Sequence, residues 1–337
     1  MPDFDEIRLV HGGGGRFSQE LVEQVFLPVF GNEYLNALDD SAVFPFPGER
    51  CALSTDTFVV HPLFFPGGDI GRLAVCGTVN DLAVMGAKPL YLTLGLVIEE
   101  GFSLRSLKKI VESIRKASDE ADIKIVAGDT KVVERGSADG IFINTSGVGV
   151  LPDGCRLSGT NVRPGDSIVI NGPLGRHGMA IVTSREDYGF QSRIRSDVAP
   201  LNGLIETMMK SVPGIHAMRD ATRGGLATVL NEIAAQSGVT IELDEERIPV
   251  TAPVRGACEL LGFDPLYVAN EGVLVAFVDS REAAGMMEAM GKHHYGKKSA
   301  VIGRVTNEPG ERVILKTRIG SRRIVDMLSG EQLPRIC

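Results

Sequence analysis

Between Ala52 and Pro89 the spacing of apolar positions changes from that of a strand to that of a helix. Ala52 to Val60 is an apolar run carrying one acid, Asp56, and predicts a strand ending at a ligand. Further on, Ile70, Leu73, Ala74 and Gly77 fall at i, i+3, i+4 and i+7, which predicts a helix with Asp69 as N-cap and Pro89 as its stop. Asn80 and Asp81 interrupt the apolar pattern in its middle. Gly77 lies one turn before Asp81 on the same face and clears space beside the carboxylate. The pair fits a solvated helix face, or an acid held beside a strand acid in a Mg2+-phosphate site.

The same alternation runs along the rest of the chain. Leu90–Ile98 predicts a strand, and Ser103 caps an amphipathic cover helix with Leu104, Leu107, Ile110, Val111 and Ile114 on one face. Lys124–Lys131 predicts a short buried strand ending in Asp129, and Ile141–Val150 a further strand. The first half therefore reads strand, helix, strand, helix, strand, strand. The turn Pro152-Asp153-Gly154 divides it from the second half. There Gly165–Pro173, Val239–Leu243, Gly272–Val278 and Ser299–Val305 predict strands. Helices are predicted from His177, from Asn202 to Lys210, from Leu226 to Gly238, from Ala252 to Leu261 and from Arg281 to Gly291. The expectation is an α+β protein of two αβ domains, residues 1–153 and 154–327, followed by a loose tail, 328–337.

With 337 residues, 43% hydrophobic and 23% charged, the chain has an ordinary globular composition. Its 43 acids against 35 bases give a net charge of −8, which speaks against a broad nucleic-acid surface. No apolar run has a membrane span's length, and the start Met1-Pro2-Asp3-Phe4-Asp5-Glu6 lacks the order of a signal peptide, so a cytoplasmic protein is expected. Five cysteines without a CxxC pair fit neither a zinc site nor a disulfide framework. Four sit among apolar or small residues and read as packing. Cys337, the last residue, reads as an exposed thiol on a mobile arm, which invites a carrier role.

Several other segments carry candidate chemistry. His11-Gly12-Gly13-Gly14-Gly15-Arg16 is either a flexible arm or a loop whose bare amides close over phosphates. Asp39-Asp40 before an apolar run is a turn or a pair of oxygen ligands for a hard cation. Asp220-Ala221-Thr222-Arg223-Gly224-Gly225 opens a helix, which suits an anion or simply close helix packing. Asn270-Glu271-Gly272 sets a carboxylate at a strand lip.

With Asp39-Asp40, Ser54-Thr55-Asp56-Thr57, Asn80–Ala87 and Gly128-Asp129-Thr130 in this order, the chain resembles the aminoimidazole ribonucleotide synthetase-like superfamily over essentially its whole length. Within it, the glycine run, the Asp220–Gly225 and Asn270–Gly272 segments and the terminal Pro334-Arg335-Ile336-Cys337 are most similar to the HypE family, the carbamoyl dehydratases of nickel–iron hydrogenase maturation. The resemblance implies a homodimer with a β-barrel-like core of N-terminal domains, and ATP bound in the cleft to the second domain. It implies a carbamoyl group on Cys337 delivered by the HypF carbamoyltransferase, ATP-dependent dehydration to a thiocyanate, and transfer of cyanide to iron on the HypC–HypD complex. Asp40, Asp56, Asp81 and Asp129 are then the expected Mg2+ ligands, with Asp39 ligating or orienting. Gly12, Gly13, Gly14 and Gly15 would close over the nucleotide. Asn80, Gly128, Thr130, Asp220, Thr222, Arg223, Gly224 and Gly225 would line its site. Glu271 is the expected base, and Lys131 a charge stabiliser or proton relay.

A small-molecule phosphotransferase of the same superfamily, of the thiamine-monophosphate kinase or selenophosphate synthetase type, is the alternative. No cysteine precedes Cys51, which counts against the second, and neither explains the thiol of Cys337. A non-catalytic scaffold presenting a modified Cys337 is the third reading, and the recurrent acids argue against it.

Overall fold

The computed structural model describes residues 6–7, 21–33, 36, 50–185, 192–327 and 336–337. Gly12 to Gly15, Asp39 and Asp40 lie outside the described residues, as does the tail before Ile336.

The first half builds a four-stranded sheet from β1 (Cys51–Phe58), β2 (Lys88–Glu99), β3 (Lys124–Val133) and β4 (Ile141–Val150), in the order β1-β4-β2-β3. Only the β2–β3 pair is parallel, and α2 (Leu104–Ala121) forms its crossover. Ser103 accepts from Ser106 N, and Leu107, Ile110, Val111 and Ile114 are buried, as the periodicity predicts.

Between β1 and β2 runs α1 (Ile70–Val84), capped by the Asp69 carboxylate, which accepts from the amides of Gly71 and Arg72. Every residue of α1 except Arg72 and Asp81 is buried. An ordinary amphipathic helix buries one stripe; a helix apolar all round is an interior one. This helix packs on β1, β4 and α2 with one side and on the second half with the other, where Ala83 and Val84 join its core. Its end differs from expectation. The chain reverses at Gly86, in the left-handed region at φ 81°, and Pro89 lies in β2 beside a bulge in the β4 pairing.

The second half is a seven-stranded sheet, order β11-β10-β7-β9-β5-β8-β6. Its strands are β5 (Asp166–Ile170), β6 (Ile215–Asp220), β7 (Thr240–Asp244), β8 (Leu274–Asp279), β9 (Ala300–Thr306), β10 (Arg312–Lys316) and β11 (Arg322–Val325). Helix α5 (Gly225–Ser237) covers one face with Leu226, Leu230 and Ile233 over Ile168, Ile170, Val275 and Phe277. Helices α4 (Asn202–Ser211) and α7 (Ala283–Lys292) cover the other over Val169, Leu274, Ala276 and Val278. Covering both faces explains why β8 reads as an unbroken apolar run. Two more helices, α3 (Arg176–Val182) and α6 (Ala252–Leu261), pack together beside the first half's core.

Candidate active site

The seam between the halves collects carboxylates. Asp56 sits on β1 opposite Thr145, and its Oδ1 accepts from Thr57 N at 2.8 Å. A Cβ at Gly77 would lie 2.7 Å from the Phe58 ring and 3.6 Å from Asp56 Oδ2, so this glycine lets β1 close onto α1. The space expected above Asp81 is thus taken up by Phe58. One turn on, Asp81 accepts from Ser54 Oγ at 2.7 Å. Asp220 ends β6, paired with Leu274, and Glu271, 3% exposed, lies three residues before that strand.

These acids raise one another. Burial and then its neighbour Asp56 push Asp81 up, against the pull of the Ser54 hydroxyl. Burial and then Asp81 push Asp220 up to about 7. Glu271 is held well above the usual carboxylate range by burial first, then by Asp220, Asp197, Asp56 and Asp81. Asp197 rises to about 6 through burial, and its Oδ1 accepts from Glu271 N at 3.0 Å. Glu271 Oε1 and Asp197 Oδ2 are buried without a hydrogen-bond partner, which leaves both free to accept from a donor or a cation brought to the site. Among the described residues, no group of three or more His, Cys, Asp or Glu side chains converges as a complete metal site.

A cleft of about 360 Å³ opens beside the acids, lined by Asp81, Met85, Asp220, Thr222, Arg223 and Thr228. Thr228 Oγ1 is buried there without a partner. Gly224 and Gly225 are both left-handed, at φ 75° and 62°, and a Cβ at Gly225 would meet the Leu266 carbonyl at 2.5 Å. The Gly225 amide is spent on Thr222 O at 2.9 Å, so Gly225 serves close packing while the Thr222 and Arg223 side chains face the cleft.

Cys337 stands at the same acids. The expectation of an exposed thiol on a loose end does not match this position: Ile336 is 3% exposed and Cys337 packs against the first half's core. The thiol is pushed up by burial and by Glu271, against which it lies, with Arg223 opposing and Asp56 adding to the rise.

Other expected residues fall elsewhere. Asn80 is buried, its Nδ2 donating to Ala199 O at 3.0 Å and Glu271 O at 3.4 Å, while its Oδ1 accepts from Leu201 N at 2.7 Å. It clasps the two halves and leaves no amide hydrogen for phosphate. Asp129 pairs with Gly95, which pairs with Asn144 and through it Thr57, one residue out of step with the Asp56–Thr145 row. Alternation therefore puts Asp129 and Lys131 on the opposite face of the sheet from Asp56. Gly128 and Thr130 keep the Asp56 face but lie three strands away, about 14 Å at the usual strand spacing. One chain does not bring Gly128, Asp129, Thr130 or Lys131 to the acids. Asp197 was missed in the sequence because Ser196–Leu201 has neither strand nor helix period.

Two such halves, with acids and a cleft at their seam, define the AIR synthase related class. The N-terminal domain of that family matches residues 38–151 and its C-terminal domain residues 163–316. The carbamoyl dehydratase HypE of Cupriavidus necator is 52% identical over 332 residues, 98% of this chain and 95% of that protein. A crystal structure of the hydrogenase maturation protein HypE in complex with ATP superposes with a TM-score of 0.94 at 44% identity, covering 98% of this chain and 99% of the other. A chain from a HypE–HypF complex gives 0.80 at 52% identity, covering 91% and 99%. The chain belongs to the HypE family of carbamoyl dehydratases.

Proposed function

We propose that this protein dehydrates a carbamoyl group carried on Cys337 to a thiocyanate, using ATP and Mg2+, to make the cyanide ligand of a nickel–iron hydrogenase. The observation that carries this reading is the Cys337 thiol lying against Glu271 inside the acid cluster, where a self-borne substrate would react. A small-molecule kinase has no use for that arrangement.

The donor set fits a hard cation: carboxylate oxygens only, with Asp81 and Asp220 raised by burial and by neighbouring acids, so that a positive charge between them would relieve the repulsion. Asp56 and Asp81 would hold Mg2+, with Asp220 beside them. An incomplete protein cage suits an ion that keeps phosphate oxygens as ligands. Bound Mg-ATP would supply the phosphoryl group that turns the carboxamide oxygen into a leaving phosphate. Thr222, Arg223 and Thr228 line the cleft that takes its phosphates. Glu271, a base strengthened by its surroundings, would take a proton from the amide nitrogen as the oxygen departs with phosphate, the other nitrogen proton having left when that oxygen was phosphorylated. Its buried position keeps bulk water from competing.

Leu53 is 78% exposed, and Thr55, Thr57 and Val97 are exposed on the sheet face turned away from α1. We read that face as covered by a second copy, in a homodimer whose Asp129 and Lys131 stand at the joint. Loading by a HypF-type carbamoyltransferase, cyanide delivery to a HypC–HypD-type complex and a cytoplasmic location complete the proposal. No helix among the described residues is long and apolar enough to cross a membrane. Intact-protein mass spectrometry tests the function. A carbamoyl mass gained from the donor system, followed by loss of water only when Mg-ATP is added, is the expected result. A carbamoylated chain that keeps its water with Mg-ATP present overturns it.

A further inference from the structure

His177 is fully buried, yet both of its ring nitrogens are engaged. Nε2 lies 2.9 Å from the Ile336 carbonyl oxygen and Nδ1 2.8 Å from Ser196 Oγ. A carbonyl only accepts, so the proton sits on Nε2 and Nδ1 accepts from the Ser196 hydroxyl. Ser196 Oγ in turn accepts from Val198 N at 3.0 Å. The chain of bonds is complete and has one direction: Val198 amide, Ser196 hydroxyl, imidazole, Ile336 carbonyl. Burial holds His177 down to about 4, so the ring is neutral and this tautomer is the working one. The Phe65 ring meets it edge-on at 5.5 Å and 87°, which fixes its plane.

The next residue along from Ser196 is Asp197, which accepts from Glu271 N at 3.0 Å. One short segment therefore sets both the ring that grips the residue before Cys337 and the carboxyl against which the thiol lies. That segment is itself fixed. Ser196 N donates to Pro66 O at 2.7 Å, and a Cβ at Gly67, in the left-handed region, would lie 2.7 Å from Ser196 N. The Ile336 side chain adds an apolar anchor within the first half's core.

We propose that His177, oriented by Ser196, is a positioning residue that seats the Cys337 end of the chain at Glu271 by donating to the Ile336 carbonyl. Nothing in this role touches the reacting atoms. If Ile336 withdraws, the Nε2 hydrogen is left buried without a partner, which drives the end back in. The proposal rests on the dehydratase reading for its purpose, while the seating itself is tested without turnover.

The test compares wild type with His177→Phe, which keeps a ring but has no donor, His177→Gln, which keeps one, and Ile336→Asp, which removes the apolar anchor itself. Iodoacetamide labelling is read peptide by peptide, so Cys337 is followed apart from the exposed Cys51. His177→Phe and Ile336→Asp are expected to label at Cys337 about tenfold faster than wild type, with Cys51 unchanged, and His177→Gln to fall between. On the carbamoylated chain, loss of water with Mg-ATP should slow about tenfold in His177→Phe and recover partly in His177→Gln, while carbamoyl loading stays as in wild type. Unchanged labelling of Cys337 in His177→Phe overturns the part assigned to His177, and unchanged labelling in Ile336→Asp as well overturns the seating altogether. Faster labelling with unchanged dehydration overturns the positioning role. If wild type itself does not dehydrate, the function fails and the labelling still decides the seating.

Discussion

Replacing Asn80 by Asp changes one NH2 to an oxygen at the clasp between the halves. The acceptor side survives, because Asp can still take the Leu201 N–H now held at 2.7 Å. The donor side inverts. An oxygen would face the carbonyls of Ala199 and Glu271, which Asn80 Nδ2 meets at 3.0 and 3.4 Å. A fully buried acid without a cation is raised by roughly 3 units or more, and at 1.36 kcal/mol per unit this is about 4 kcal/mol of lost stability once the pH exceeds the folded value. The sign follows from linkage. The folded state keeps a proton that the unfolded chain releases near its ordinary value, so stability is lost as pH rises from about 4 through about 7. At about pH 5 the variant is mostly protonated, regains one donor and loses only about 1–2 kcal/mol. Urea unfolding of wild type and Asn80→Asp at about pH 5 and about pH 8 reads the difference, with wild type removing the background from native acids. A deficit under about 1 kcal/mol at the higher pH, or one equal at both, refutes the clasp. Such a variant with weakened ATP binding would return Asn80 to the phosphate site.

Gly77→Ala sets a methyl 2.7 Å from the Phe58 ring and should destabilise by about 1–3 kcal/mol, with Phe58→Leu in the same chain restoring at least half on thermal melting. Asp220→Asn should stabilise the ligand-free chain near pH 8 and only about a third as much near pH 5, because a carboxyl raised to about 7 loses stability as pH climbs from its unfolded value through that point. The full shift would amount to about 4 kcal/mol, and solvent reaching part of this side chain halves it to about 2; equal melting shifts at both pH values contradict the assignment. Asp81→Ala should weaken Mg-ATP binding at least tenfold by calorimetry while leaving carbamoyl loading intact, and unchanged affinity removes Asp81 from the cation site.

Much of this architecture is readable in the residues because the signals are local. Asp69 and Ser103 cap the helices they appear to cap, and Ala252–Leu261 is a helix to the residue. Strands buried on both faces, such as Leu274–Asp279, announce themselves as apolar runs. What stays hidden is made by the sheet edges and by the seam. Strands β6, β10 and β11 carry His216, Arg219, Arg312, Arg322 and Arg323, and their pairing partners, not their own pattern, make them strands. The site follows the same rule. Asp56, Asp81, Asp220 and Glu271 are visible as acids in otherwise apolar or glycine-rich surroundings. Asn80 looks equally like a ligand until its two amide hydrogens are found on backbone carbonyls of the other half. Asp129 shares a motif with Thr130 but, by a one-residue step in register, points to the other face.

The acid-lined berth of Cys337 also bears on how its sulfur meets oxidants. The thiolate is the form that attacks peroxide, and the surroundings of Cys337 suppress it. Held against Glu271, the thiol is a poor nucleophile toward peroxide. The carboxyl groups that crowd this sulfur thus also shelter it from oxidants.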